Sequence, residues 1–281
     1  MAGDARQSLP DGYVNRLGTL AWRSVARLAR PASHSRRAEA RRAQARHWLI
    51  LSAVLATAIV ALMFTLDLRT IIAMPPRGTE SLWPLRILTE FGKARYILWG
   101  LFALMIAALL IVPLLRGQLA AVLIGVGTRI QFVFLSVLTP MLAGEVIKGI
   151  VGRARPFVGG HADPFNYSHF AWTEAYASFP SGHANAAFAL AFAVSALWPR
   201  LRGLMVVYAV VIALTRIGLL AHHPSDVVGG ALVGTIGAMA VRYWFATRRL
   251  LFTIGADGTI APRAGPSFQH LKGVARGIAA S

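Results

Sequence analysis

The chain has 281 residues, 56% of them hydrophobic and only 14% charged, with a mean hydropathy of +0.56. A soluble domain carries about 25% charged residues, so the composition excludes an ordinary water-soluble fold and points to a bilayer. The absence of cysteine excludes disulfide frameworks, thiolate metal sites and a cysteine nucleophile, and 29 basic against 11 acidic residues give a net charge of +18.

The basic excess lies mainly in the N-terminal tail and in short loops beside apolar runs. That is the distribution of juxtamembrane charge drawn to anionic lipid, and no nucleic-acid motif accompanies it. Residues 1–47 read as a basic cytoplasmic tail. Within it Val14, Leu17, Ala21, Val25 and Leu28 share one helical face, Arg16, Arg23, Arg27 and Arg30 the opposite one, and Pro31 ends the run. This pattern predicts an amphipathic helix on the membrane surface, with a disordered basic tail as the alternative. The tail is too long for the n-region of a cleaved signal peptide, so the first apolar run is expected to be a retained anchor.

Six apolar runs follow, near 48–66, 96–115, 126–147, 181–198, 203–221 and 226–246, each close to the ~20 residues that cross a hydrocarbon core. Arg129 and Gln131 blur the start of the third. Ten arginines precede the first run, and Arg116, Arg200 with Arg202, and Arg248 with Arg249 mark alternate loops. The lysine and arginine bias then places both termini in the cytoplasm. The expected fold is an all-α polytopic membrane protein: six transmembrane helices over 48–247, with 248–281 as a cytoplasmic tail, loosely ordered beyond about 250. The loops 67–95 and 148–180 face outward. The first holds an expected interfacial helix with Leu82, Trp83, Leu85, Ile87, Leu88 and Phe91, and the second is basic and then aromatic. Gly230 and Gly234 form a small-xxx-small pair suited to close helix packing.

Polar residues that the apolar pattern leaves unexplained fall in three segments, all at the outer face by this span count. They are Lys148 to Pro156, Pro180-Ser181-Gly182-His183, and Thr215-Arg216 through His222 to Asp226. Lys148, Arg155 and Arg216 can supply three cationic donors to phosphate oxygens. Ser181 and Gly182 open a helix whose N-terminal amides favour an anion. Asp226, in the first turn of the last span, can turn back toward His222 to fix its tautomer. Singly, a basic residue at a span end is a topology signal or snorkelling anchor, and Ser181 or Asp226 an ordinary cap. His223, His161, His169 and Glu174 are read as structural, and Arg153 as either part of the anion site or a solvated neighbour.

Together, K-x6-R-P, P-S-G-H and R-x5-H-x3-D, in that order, resemble the signature of the type 2 phosphatidic acid phosphatase (PAP2) family, in its membrane-bound lipid phosphatase branch. The resemblance covers roughly residues 48–247, with Thr215 where the family usually has serine. It implies His222 as nucleophile, Asp226 as its orienting carboxylate and His183 as the acid that protonates the leaving oxygen. Lys148, Arg155, Ser181, Gly182 and Arg216 become the phosphate cradle. It further implies a phosphohistidine intermediate, and the cation cluster can neutralise the phosphate without metal or other cofactor. The expected substrate is an isoprenyl diphosphate, phosphatidylglycerol phosphate, phosphatidic acid or lipid A type phosphate, reached from the outer leaflet of the plasma (inner) membrane. A lipid phosphotransferase would share this site. A vanadate-dependent haloperoxidase suits six spans less well, and an anion transporter leaves the histidine–carboxylate pair unexplained.

Overall fold

The computed structural model describes residues 12–263. Among the described residues nine α-helices carry the fold. They are α1 (Tyr13–Ala29), α2 (Arg37–Thr65), α3 (Asp67–Ala73), α4 (Trp83–Glu90), α5 (Ala94–Ile111), α6 (Gly117–Val151), α7 (Gly182–Leu197), α8 (Arg202–Gly218) and α9 (Pro224–Thr247). One hairpin of β1 (Phe252–Ile254) and β2 (Ile260–Pro262) follows.

Among the described residues, five helical segments are long and apolar enough to cross a membrane: α2, the stretch Glu80–Leu114 that contains α5, α6, Pro199–Gly218 that contains α8, and α9. Of the six expected spans, the run at 181–198 is the short one. That run folds as α7, a helix of 16 residues, about 24 Å long at 1.5 Å per residue, against a core of ~30 Å. Pro180 and Pro199 bracket it and prevent its extension. The short helix is nonetheless the centre of the bundle, packed by α6, α8 and α9. Its interior is small side chains, with Ala184, Ala186, Ala187, Ala189 and Ala193 fully buried.

Small residues let α7 and α9 approach closely. A methyl group at Gly230 would collide with the Ser181 carbonyl, and one at Gly234 with the Asn185 carbonyl. The small-xxx-small pair thus marks the tightest helix contact in the molecule's centre. Asn185 Nδ2 donates to the carbonyl of Pro140, inside α6, at 2.8 Å.

The basic amphipathic stretch folds as α1, one residue from the expected boundaries. Its Tyr13 Oη donates to the Leu110 carbonyl at 3.1 Å and its Arg16 Nη1 to the Pro113 carbonyl at 3.0 Å. The helix therefore sits at the C-terminal end of α5. The expected interfacial helix in 67–95 is α4, and its Trp83, Ile87 and Phe91 are exposed. The first apolar helix, α2, begins at Arg37, well inside the stretch read as tail.

The expectation of a loosely ordered tail beyond 250 is corrected over 250–263. Phe252 and Ile254 alternate with exposed Thr253, and the Phe252 ring meets Phe132 edge-on at 4.9 Å, which fixes β1 on the bundle. Gly258, at φ 79°, makes the turn against the Glu39 carbonyl, where no side chain fits. The rest of that tail, and residues 1–11, lie outside the described residues.

Candidate active site

The turn before α5, the C-terminus of α6, the N-terminus of α7, the C-terminus of α8 and the N-terminus of α9 meet at one end of the bundle. α1 and the hairpin lie at the other. The three sequence segments are thus brought together, as alternation of antiparallel helices requires.

α6 ends at Gly152, whose φ of 58° gives the left-handed cap that leads the chain away. Lys148, in the last turn of α6, pairs with Glu145 at 2.5 Å. Its Nζ would lie 3.2 Å from a methyl group placed on Gly182, so the ammonium rests over the first residue of α7. Arg155 follows in the loop, 3.5 Å from the carboxylate of Glu174. Arg216 is set by Thr89, whose hydroxyl accepts from Nη1 at 2.6 Å. Four of the eleven buried side-chain polar atoms that have no hydrogen-bond partner among the described residues belong to these groups: Arg155 Nε, Arg216 Nε, Ser181 Oγ and His183 Nε2. Buried polar atoms are normally satisfied, so a concentration at one end of a bundle marks a place built for a polar ligand. Ser181 stands at the N-cap of α7 without capping it.

His222 lies in the short link between α8 and α9 and is 4% exposed. Its Nδ1 is 2.8 Å from the Ser178 carbonyl. A carbonyl can only accept, so Nδ1 carries the proton and Nε2 keeps the lone pair. Burial holds the imidazole well below the usual histidine range, Asp226 opposes this, and the charges of Arg216, Arg155 and His183 reinforce it.

Asp226 differs from its expected placement against the His222 ring. Its carboxylate accepts instead from Ser178 Oγ at 2.6 Å, Arg153 Nη1 at 2.6 Å, the His223 amide at 2.8 Å and His223 Nδ1 at 3.0 Å. Three of these bonds fall on Oδ2 and the one from Arg153 on Oδ1, and none of them comes from His222. The aspartate reaches His222 at one remove: it holds Ser178 by the hydroxyl, and Ser178 holds the imidazole by its carbonyl. His223 takes the direct contact because Pro224 at the first helical position turns Asp226 back over the N-cap residue.

Arg153 is neither a surface neighbour nor a cradle donor. At 1% exposure it bridges Asp226 and Asp67, with Nη2 2.8 Å from Asp67 Oδ2. Asp67 also accepts from the Ser225 amide at 3.0 Å and from the Ser225 hydroxyl. Sequence reasoning missed Asp67, Ser178, Ser225 and Thr89. Asp67 carried a signal: a carboxylate directly after an apolar run needs a partner. The other three carried none. Thr215 Oγ1 donates to the Ile212 carbonyl at 2.6 Å, so the hydroxyl at that motif position is spent within its own helix. His169 Nδ1 meets the Val151 carbonyl at 2.8 Å, a structural contact.

Residues 130–250 match the PAP2 superfamily. The chain resembles that superfamily over these residues. It is 33% identical over 127 residues to a lipid A 1-phosphatase of Rhizobium johnstonii, covering 45% of this chain and 52% of that one. To a lipid A 1-phosphatase of Rhizobium etli it is 32% identical over 139 residues, 49% of this chain and 60% of that one. To a putative undecaprenyl-diphosphatase of Escherichia coli it is 40% identical over 101 residues, 35% of this chain and 48% of that one. The chain thus spans about half the length of the curated relatives it matches. No solved structure matches it. Its long apolar helices make it an integral membrane protein.

Proposed function

We propose that this PAP2 domain hydrolyses the phosphomonoester or diphosphate of a membrane lipid through a phosphohistidine on Nε2 of His222. The observation that carries this reading is the His222 tautomer. With Nδ1–H given to the Ser178 carbonyl, the free lone pair lies on Nε2, in an imidazole that feels Arg155, Arg216 and His183. Neutral imidazole is the attacking form, and its neighbours are the charges that a phosphoryl group needs.

Lys148, Arg155 and Arg216, with Ser181 and the Gly182 amide, bind the three equatorial oxygens. His222 attacks phosphorus, and His183 gives a proton to the leaving oxygen. Water then cleaves the phosphohistidine, releasing phosphate and restoring His222. Asp226 serves by holding Ser178. The substrate reaches the site sideways from the outer leaflet, and the basic segment 1–47 and both termini face the cytoplasm. That the relatives are named for lipid A and undecaprenyl substrates supports the lipid class.

The test is phosphate release from purified lipid mono- and diphosphates in liposomes, with and without a chelator. Wild type should release inorganic phosphate undiminished by the chelator. His222→Ala should lose at least about 1,000-fold in kcat while keeping its thermal unfolding profile. Full activity in folded His222→Ala would sink the reading, as would activity lost to the chelator and restored by a metal. Transfer to an acceptor without free phosphate would make the enzyme a phosphotransferase.

A further inference from the structure

A second group of cations lies toward the end of the bundle away from His222. α7, α8 and α9 meet there around a cavity of about 280 Å³. Small side chains leave it open: Ala191, Ser195 and Ala196 of α7 and Ala209 of α8 line it, where larger ones would close the gap. Arg202, in the first turn of α8, and Arg242, near the end of α9, stand at its rim. The three helices carry no carboxylate except Asp226, at the opposite end of α9. Neither arginine belongs to an ion pair among the described residues. The Arg242 guanidinium lies over the Phe192 ring, its carbon 4.9 Å from the centroid, and Phe192 also lines the cavity. A snorkelling arginine carries its polar end out to water. Here Arg242 Nε is buried, with no hydrogen-bond partner among the described residues.

The geometry points to a binding site for an anionic phospholipid of the leaflet away from the proposed active site. Its phosphate is held by Arg202 and Arg242, and its acyl chain runs between the helices toward the middle of the bundle. The two ends of the cavity differ as such a ligand requires. About two turns along each helix from the arginines, roughly 10 Å, the walls are Phe188 of α7, Ala209 of α8 and Thr235 of α9. Val206, also in the wall, is 52% exposed on the apolar outward side of α8, so the cavity meets the surface that faces lipid. Charge complementarity chooses the occupant. Two guanidinium groups in one partly buried space repel each other and lose hydration unless an anion joins them, and phosphate oxygens match the guanidinium fork. A free phosphate would leave the apolar part of the cavity empty, and a zwitterionic headgroup would bring its own ammonium beside the arginines. The site is separate from the phosphate cradle, since Ser181, Gly182 and His183 stand at the other end of α7, and it does not depend on the hydrolase reading.

The experiment measures binding to the full chain in an uncharged detergent, by native mass spectrometry and thermal unfolding. The probes are phosphatidylglycerol, phosphatidylcholine and inorganic phosphate, and the proteins are wild type, Arg202→Gln, Arg242→Gln and Arg200→Gln. Arg200 lies at the same end of the bundle but does not line the cavity. Wild type should bind phosphatidylglycerol about tenfold more tightly than phosphatidylcholine. Each cavity variant should remove most of that preference, and Arg200→Gln should keep it. Lipid held at the active site is unaffected by either cavity substitution, so the two sites are told apart. Equal affinity for the two lipids overturns the proposal, as does a preference that survives in both cavity variants or falls equally in Arg200→Gln. Inorganic phosphate bound as tightly as phosphatidylglycerol, and lost in the same two variants, would make this a free-anion site and overturn the lipid assignment. Should Arg242→Gln fail to fold, Arg202→Gln, whose side chain is exposed, decides the matter alone.

Discussion

The imidazole of His222 is kept neutral by where it sits. Burial comes first among the causes, and Arg216, Arg155 and His183 add to it against the pull of Asp226. In an unfolded chain the same ring takes up a proton near pH 6.5. Two consequences have the same sign. The attacking form persists as pH falls through 6.5, so the acid limb of kcat/KM should lie below that value. Below about pH 6.5 the unfolded state binds more protons at this position than the folded state, so acidification destabilises the fold. A pH–rate profile on a soluble short-chain lipid diphosphate checks the first statement, and an acid limb centred above 6.5 would contradict it. The motif pointed to His222, but the partner of its Nδ1 could not be read from spacing. Four residues separate His222 and Asp226 in sequence. Pro224 turns the chain between them, so the carboxylate meets His223 while the carbonyl of Ser178, from another loop, meets His222.

At the scale of elements, the site depends on how closely α7 and α9 approach. Ser181 donates its amide to the Asp226 carbonyl at 2.9 Å, a bond between the two helix starts that only glycines at 230 and 234 permit. Gly234→Ala would drive a methyl group into the Asn185 carbonyl and should cost about 1–3 kcal/mol of stability as overpacking. Gly203→Ala in α8, where nothing lies within 4 Å, should change stability by less than about 1 kcal/mol. Thermal unfolding of both variants in one detergent gives the comparison, and equal midpoints would refute the packing argument. The pair of glycines was legible as a packing surface. Which helix it packs against was not, because a small-xxx-small pattern names no partner. Likewise the fourth apolar run read as a span of ordinary length, since its hydropathy does not reveal that prolines cut it short and that its neighbours bury it.

At the scale of the molecule, one buried guanidinium ties the first third of the chain to the last. Arg153 links Asp67, just after α2, to Asp226, at the start of α9. Removing one partner leaves an uncompensated buried charge, so Arg153→Met should cost about 3–5 kcal/mol, and Asp67→Asn a comparable amount. The double variant should cost less than the sum, because the charge that each single variant strands is gone. A double-mutant cycle on thermal unfolding measures this coupling, and strict additivity would show that the bridge carries no energy. The consequence for the site is positional: Arg153 binds one oxygen of Asp226, and the other holds Ser178 and, through it, His222.

Hydrophobic runs of about 20 residues, the arginine distribution and three spaced motifs sufficed by themselves for an all-α membrane fold, for the PAP2 resemblance and for the residues that gather at one face. Those properties depend on local composition and on alternation of antiparallel helices, and both are written along the chain. Tertiary structure alone decided the pairings: Asp226 with Arg153 and His223, His222 with Ser178, Arg216 with Thr89, Gly92 against His183, and the hairpin over Phe132. Each joins segments distant in sequence or turned by a proline, and the choice among partners follows from burial and hydrogen-bond geometry that exist only once the helices are packed.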